Sequence, residues 1–157
     1  LRTIHLILHY RPSTNELIRV IEGPFVSQHD VDLMNDSTLS IFNNNFFPGN
    51  LKGTETKPGK GTPTVEAGNY YSSIVTYNLK TGEFGSIGDS VFKANDIWTA
   101  TEGSQEFLNG DTYFVEEQNS GLLWVISNDE VIYKNVYPSQ HKGHHHLPNW
   151  TRIVRYE

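Results

Sequence analysis

Apolar residues in this chain recur at every second position and nowhere hold a 3.6-residue period for long. Side chains of an extended strand alternate between two faces, so the pattern specifies half-buried β-strands and argues against a fold built on amphipathic helices. Ten segments carry it: 3–10, 16–22, 30–34, 38–43, 71–79, 106–108, 112–117, 122–127, 130–136 and 151–156. The strings PSTN, NDS, KTG, NGD and ND join consecutive segments, and they hold the residues that tight β-turns require. The expected class is all-β.

An internal repeat narrows the class. The string LMNDSTLSI (33–41) lines up with FLNGDTYFV (107–115), and SSIVTYNLKTGEF (72–84) lines up with SGLLWVISNDEVI (120–132). Each unit is two consecutive hairpins. The string ILHYRPSTNELIRVI (7–21) reads as the second hairpin of a preceding unit, and 151–156 as a lone strand after the last one. Four-stranded units with half-units at the ends are what a β-propeller cut between blades shows, although a β-sandwich also fits the strand count. The expectation is a propeller segment of about two and a half four-stranded blades. Residues 1–24 form half a blade, 28–90 a blade with an inserted loop at 47–69, 100–137 a second blade, and 148–157 a closing strand. The remaining blades must come from the same or another chain. The insert is rich in Gly, Pro, Thr and Lys and has no apolar period, which reads as a functional or disordered loop.

Bulk properties remove several function classes. A net charge of −6 without any run of Lys or Arg gives no positive footprint for nucleic acid or an anionic membrane. No apolar stretch reaches the roughly 20 residues of a spanning helix, and the start lacks a signal-peptide pattern. With no cysteine, disulfides, thiolate metal sites and a cysteine nucleophile are excluded. The chain starts at Leu1, which reads as a processed or partial piece of something longer.

The chemistry-bearing residues concentrate in a few strings. In QHDVD, Gln28 and His29 stand at the start of a unit's innermost strand, near one mouth of a propeller channel. A neutral imidazole there can act as nucleophile or general base, with Asp30 or Asp32 orienting it or holding a cation. The alternative is that His29 and Asp30 hydrogen-bond the neighbouring blade. The position matching His29 in the next unit is Gly103, in TATEGSQ, so the repeat itself does not demand a histidine, and Glu102 adds a second polar group to the mouth. Asn43 and Trp98 are candidate ligand contacts at the same mouth. In QHKGHHHLPNW, His144 and His146 share a face of an extended chain and can bind zinc or supply protons, while His141 and His145 complete a loop that is equally well read as solvated. His5 and His9 fall on one face of the first strand as half-exposed sheet residues. Two sequons begin at Asn35 and Asn149. No nucleophile elbow, phosphate-binding glycine loop, HExxH or EF-hand pattern occurs.

The strings QHDVDLMNDSTLSIFNNN, SSIVTYNL and GSQEFLNGDTYFVEEQ, with the terminal WTRIVRY, resemble the arylsulfotransferase family of β-propellers over most of residues 28–157. The resemblance implies a six-bladed propeller that moves a sulfuryl group from an aryl sulfate to a phenol through histidine chemistry, with no cofactor and no diffusible sulfate-nucleotide donor. It places His29 where the family's motif has its histidine, to stabilise the transferred group or move a proton. Where the family has Arg in SRVVEY, this chain has Ser73 in SSIVTY, and an asparagine triplet stands where the family has FDNG. The expected setting is secreted or periplasmic. The competing expectations are a non-catalytic propeller that binds carbohydrate or protein, and a structural subunit of a larger surface assembly.

Overall fold

The computed structural model of the protein describes residues 1–46 and 71–154; the insert expected at 47–69 lies outside the described residues. Ten strands run in chain order: β1 (Leu6–Arg11), β2 (Glu16–Glu22), β3 (His29–Asn35), β4 (Thr38–Asn43), β5 (Ser73–Asn78), β6 (Phe84–Ile87), β7 (Gly103–Asn109), β8 (Thr112–Glu117), β9 (Leu122–Ser127) and β10 (Glu130–Val136). They form one hairpin, β1-β2, and two four-stranded antiparallel sheets, β3-β4-β5-β6 and β7-β8-β9-β10. Every neighbour in a sheet is also a neighbour in sequence, which is the meander of a propeller blade. The chain is an all-β propeller segment of about two and a half blades.

The inner strands show why alternation sufficed to find most of this fold. In β4 and β8 most residues are buried, and the first sheet packs one face on the hairpin and the other on the second sheet. The first cluster fills the space between hairpin and first blade: Ile7 and Ile21 meet Phe25, Ile41, Val75 and Tyr77. The second lies between the blades, where Phe42 and Ile74 meet Tyr113, Val115, Trp124 and Ile126. Burying each of these side chains contributes about 1.5–3 kcal/mol before entropy is charged, so the stack of sheets is the main source of stability. The Trp124 indole N–H donates to Glu117 Oε2 at 2.9 Å, which satisfies both groups inside this core.

Four local features differ from the sequence expectation. An α-helix, α1 (Asp89–Ala94), follows β6 and inserts Val91 and Phe92 into the second core. Fewer than two turns cannot print a helical period, so alternation analysis passes over it. Residue His5 is outside β1: it has φ 55° and closes a 3-10 turn at Arg2–Ile4, and its Nδ1 accepts the Ser27 N–H at 3.0 Å. The match between 72–84 and 120–132 is off by one, since Ser73 pairs with Asn43 as Leu122 pairs with Glu117. The second blade makes this connection through the 3-10 turn Gln118–Ser120, which ends on Gly121 at φ 66°. Finally, residues 151–154 are not in a strand. Their amides turn to side chains instead: Glu116 accepts the N–H of Thr151 at 2.7 Å and of Trp150 at 3.3 Å, and Glu106 accepts that of Ile153 at 3.2 Å.

Candidate functional site

The site is built where β3 and β7, the first strands of the two blades, run side by side. Matching the pairs Leu33–Leu39 and Phe107–Tyr113 and counting back along the sequence makes Gly103 the sequence counterpart of His29, although the bulge at Asp30 shifts the ladder so that His29 pairs with Phe42 as Ser104 pairs with Glu116. The two counterparts touch: the Gly103 N–H donates to His29 Nε2 at 2.9 Å. One step on, the Gln105 N–H donates to Asp30 Oδ2 at 2.7 Å, and the Gln105 side-chain amide donates to the Asp30 carbonyl at 3.3 Å. Gly103 has to be glycine for this approach, because a β-carbon there would lie 2.5 Å from the Phe42 ring. The Phe42 ring also meets the imidazole of His29 edge to face at 5.6 Å.

These contacts set the state of both groups. Burial lowers the pKa of His29 below the ordinary imidazole value. With Nε2 accepting a hydrogen bond, the ring is neutral and its proton sits on Nδ1, which is buried beside the Ser27 backbone without a hydrogen bond of good geometry. For Asp30 burial raises the pKa, and the Gln105 N–H partly offsets this. Asp30 holds φ 49° at a bulge in β3, a conformation Asp tolerates better than most residues, and this turns its side chain onto β7.

Beside this seam lies a cavity of about 290 Å³, and it joins residues far apart in sequence. Arg2 reaches it from the turn before β1, where its guanidinium donates to the Ala100 carbonyl at 3.5 Å and Asn44 donates to the same oxygen at 3.4 Å. His29, Glu102 and Ser104 line the wall formed by β3 and β7; Glu116 and Gln118 come from β8 and the turn after it, and Trp150 from the C-terminal segment. The Ser104 hydroxyl is buried with no hydrogen-bond partner among the described residues, while Glu102 is exposed. One guanidinium, one unsatisfied hydroxyl and a buried amide therefore face the same space as two carboxylates, the exposed Glu102 and the buried Glu116, whose oxygens accept the Trp150 and Thr151 N–H groups. Such a wall can hold the oxygens of an anion and accept a proton beside it.

The other sequence candidates lie elsewhere. Gln28 is buried and donates to the Leu6 carbonyl at 3.0 Å, which binds the first blade to the hairpin. Asn43 is buried too: its Oδ1 accepts the Val26 N–H at 2.8 Å, and its amide donates to Ser73 Oγ at 3.1 Å. Ser73, in the place of the family's Arg, is thus tied into the blade interior. Trp98 packs near Phe46, with ring centroids 6.3 Å apart. None of these residues lines the His29 cavity, nor do His144 and His146, which are exposed in the loop before the C-terminal segment. Among the described residues no group of three or more His, Asp or Glu could hold a metal ion, and no helix is long and apolar enough to cross a membrane.

The deciding comparison is with protein families: the profile of the arylsulfotransferases, Arylsulfotransferase (ASST), matches residues 1–135. The chain belongs to the arylsulfotransferase family. Among curated proteins and solved structures nothing matches it. The match spans the β1-β2 hairpin and both blades almost to the end of β10, so the arylsulfotransferase region contains Arg2, the seam of β3 and β7, and Glu116. The C-terminal segment with Trp150 lies beyond it. Of the residues that line the cavity, the sequence had singled out His29 and Glu102 but not Arg2, Ser104, Glu116 or Trp150.

Proposed function

We propose that this chain forms one wall of an aryl sulfate sulfotransferase site, and that its cavity holds the transferred sulfuryl group. In the reaction the donor's S–O(aryl) bond breaks, a new S–O bond forms to the acceptor phenol, and the phenol's proton ends on the departing phenolate. Negative charge on the sulfuryl and phenolate oxygens must be met by donors that are already in place. Arg2 and the Ser104 hydroxyl take the sulfuryl oxygens, and Glu102, exposed at the rim, receives the acceptor's proton. His29 is a positioning residue: its Nε2 lone pair is engaged by Gly103, and that contact fixes the strand carrying Ser104.

The observation that carries this reading is the convergence of Arg2 and the unsatisfied Ser104 on one cavity within the region matched by the family. It also answers the loss of the family's Arg at Ser73, since Arg2 supplies a guanidinium from another part of the chain. The test is release of nitrophenol from nitrophenyl sulfate by the intact protein, with and without a phenol acceptor. We expect release that depends on the acceptor, is lost in His29→Ala, and is largely restored in His29→Gln, whose amide oxygen can still accept the Gly103 N–H. No release from the folded protein would favour the non-catalytic reading, for which the occupied Nε2 of His29 is the supporting observation.

A further inference from the structure

A second cavity, of about 520 Å³, opens at the opposite ends of the same strands. His29 begins β3, whereas this cavity is lined by Met34 near the end of β3, by Gly110 and Asp111 in the β7-β8 turn, and by Asn128 and Asp129 in the β9-β10 turn. The arylsulfotransferase reading makes no use of it. Its walls divide by chemistry. Met34, Ile87 and Phe107 give an apolar side, and Asp111 and Asp129, both exposed, give an anionic rim. Among the described residues no Lys, Arg or His lines it.

Tyr113 is the independent observation that points to a ligand. Its side chain is 1% exposed, it lines the cavity, and its hydroxyl has no hydrogen-bond partner among the described residues. An orphaned buried hydroxyl is costly and uncommon, so its place against a cavity calls for an explanation. Gly88 leaves room for it: a β-carbon at this position, where φ is 71°, would fall on the Tyr113 hydroxyl. Burial, and after it the nearby Asp129 and Asp89, raise the phenol's pKa, so it stays protonated and neutral. A neutral phenol oxygen can accept a hydrogen bond, and the carboxylates supply the charge.

We propose that this cavity binds a small organic cation, an alkyl- or arylammonium, with its hydrocarbon part on Met34, Ile87 and Phe107 and its ammonium group hydrogen-bonded to Asp111, Asp129 and the Tyr113 hydroxyl. An inorganic cation fits less well, because the apolar side offers no ligand atoms and only two carboxylates face the space.

Phenethylammonium chloride is the probe, with 2-phenylethanol as its neutral counterpart, followed by amide chemical shifts and calorimetry on the intact protein. The expected result is saturable binding of the cation that shifts the Gly88, Gly110 and Asp129 amides, at least about tenfold tighter than the alcohol, as a charge-assisted contact implies. Asp111→Asn and Asp129→Asn should each weaken binding severalfold, and Tyr113→Phe should do so while leaving the melting temperature unchanged or raised, because the hydroxyl it removes has no internal partner. Equal binding of cation and alcohol, absence of saturable binding, or full affinity in folded Tyr113→Phe and Asp129→Asn proteins would each overturn the proposal. So would a clear loss of melting temperature in Tyr113→Phe, which would show that the hydroxyl already has a partner.

Discussion

The starts of β3 and β7 occupy corresponding places in two blades, yet one carries His29 and Asp30 and the other Gly103 and Ser104. The difference is complementary. The large polar side chains of the first blade reach across, and the second answers with backbone N–H groups and with the space left by a missing side chain. Matched pairs of hairpins in the sequence therefore do not mean interchangeable strands. Had both blades carried His at this place, the second imidazole would have collided with Phe42; had both carried Gly, the Gly103 amide would have lost its acceptor.

The largest expected effect comes from giving the second blade a side chain where it has none. Gly103→Val should destabilise the protein by about 3 kcal/mol, because the added atoms strike the Phe42 ring and Thr99 inside a packed core, and urea denaturation would register this. Next comes the carboxylate: Asp30→Ala strands a buried amide and should cost about 2 kcal/mol, whereas Ser104→Ala at the corresponding place should cost close to nothing, its hydroxyl having no partner to lose. Equal costs for the two would break the comparison. His29→Ala should cost about 1.5 kcal/mol and His29→Gln about 0.5 kcal/mol, since glutamine keeps an acceptor for Gly103.

A smaller, pH-dependent effect sharpens the same contrast, because of the four residues compared only His29 and Asp30 are titratable. The folded pKa of His29 lies below its unfolded value of 6.5, so the unfolded chain takes up the proton first. Its contribution is fully present above that value and is lost as the pH falls through 6.5 toward the folded pKa. Asp30 has the opposite sign in a lower window. Its raised pKa costs stability while the group is ionised, and protonation as the pH falls toward the unfolded value of 3.8 relieves that cost. Urea midpoints measured from about pH 7 to pH 5.5 should fall less steeply in His29→Gln than in the parent protein. His5, whose pKa burial also lowers, leaves part of the slope in place.

Much of the fold was legible because most of these strands carry apolar residues at every second position or in short runs between turn residues, and they follow one another in space as they do in sequence. Nine of the ten segments expected from alternation overlap observed strands; of the tenth, residues 151–154 are not in a strand, the carboxylates of Glu116 and Glu106 taking amides a ladder would have used, and 155–156 lie outside the described residues. The fourth strand of the first blade was seen only at its edge, since FGSI has too few apolar residues to alternate. The site was less legible. His29 and Asp30 stood out as a polar pair opening a strand, but nothing local marks Arg2 or Ser104. Arg2 matters because a turn before the first strand folds it onto the Ala100 carbonyl, 98 residues away. Such convergence is a property of the packed sheets and leaves no mark in any one stretch of sequence.

The most direct test of the sulfuryl-holding wall is the rate of acceptor-dependent nitrophenol release by the intact Arg2→Gln protein beside the parent. Arg2 is half-buried at the chain's start and bonds to one distant carbonyl, so the substitution should leave the melting temperature nearly unchanged. If the guanidinium holds sulfuryl oxygens as charge develops on them, kcat/KM should fall by about 10²-fold, the usual loss when one preorganised donor is removed. An unchanged rate in a folded Arg2→Gln protein would contradict the account and leave the cavity as a by-product of the blade seam.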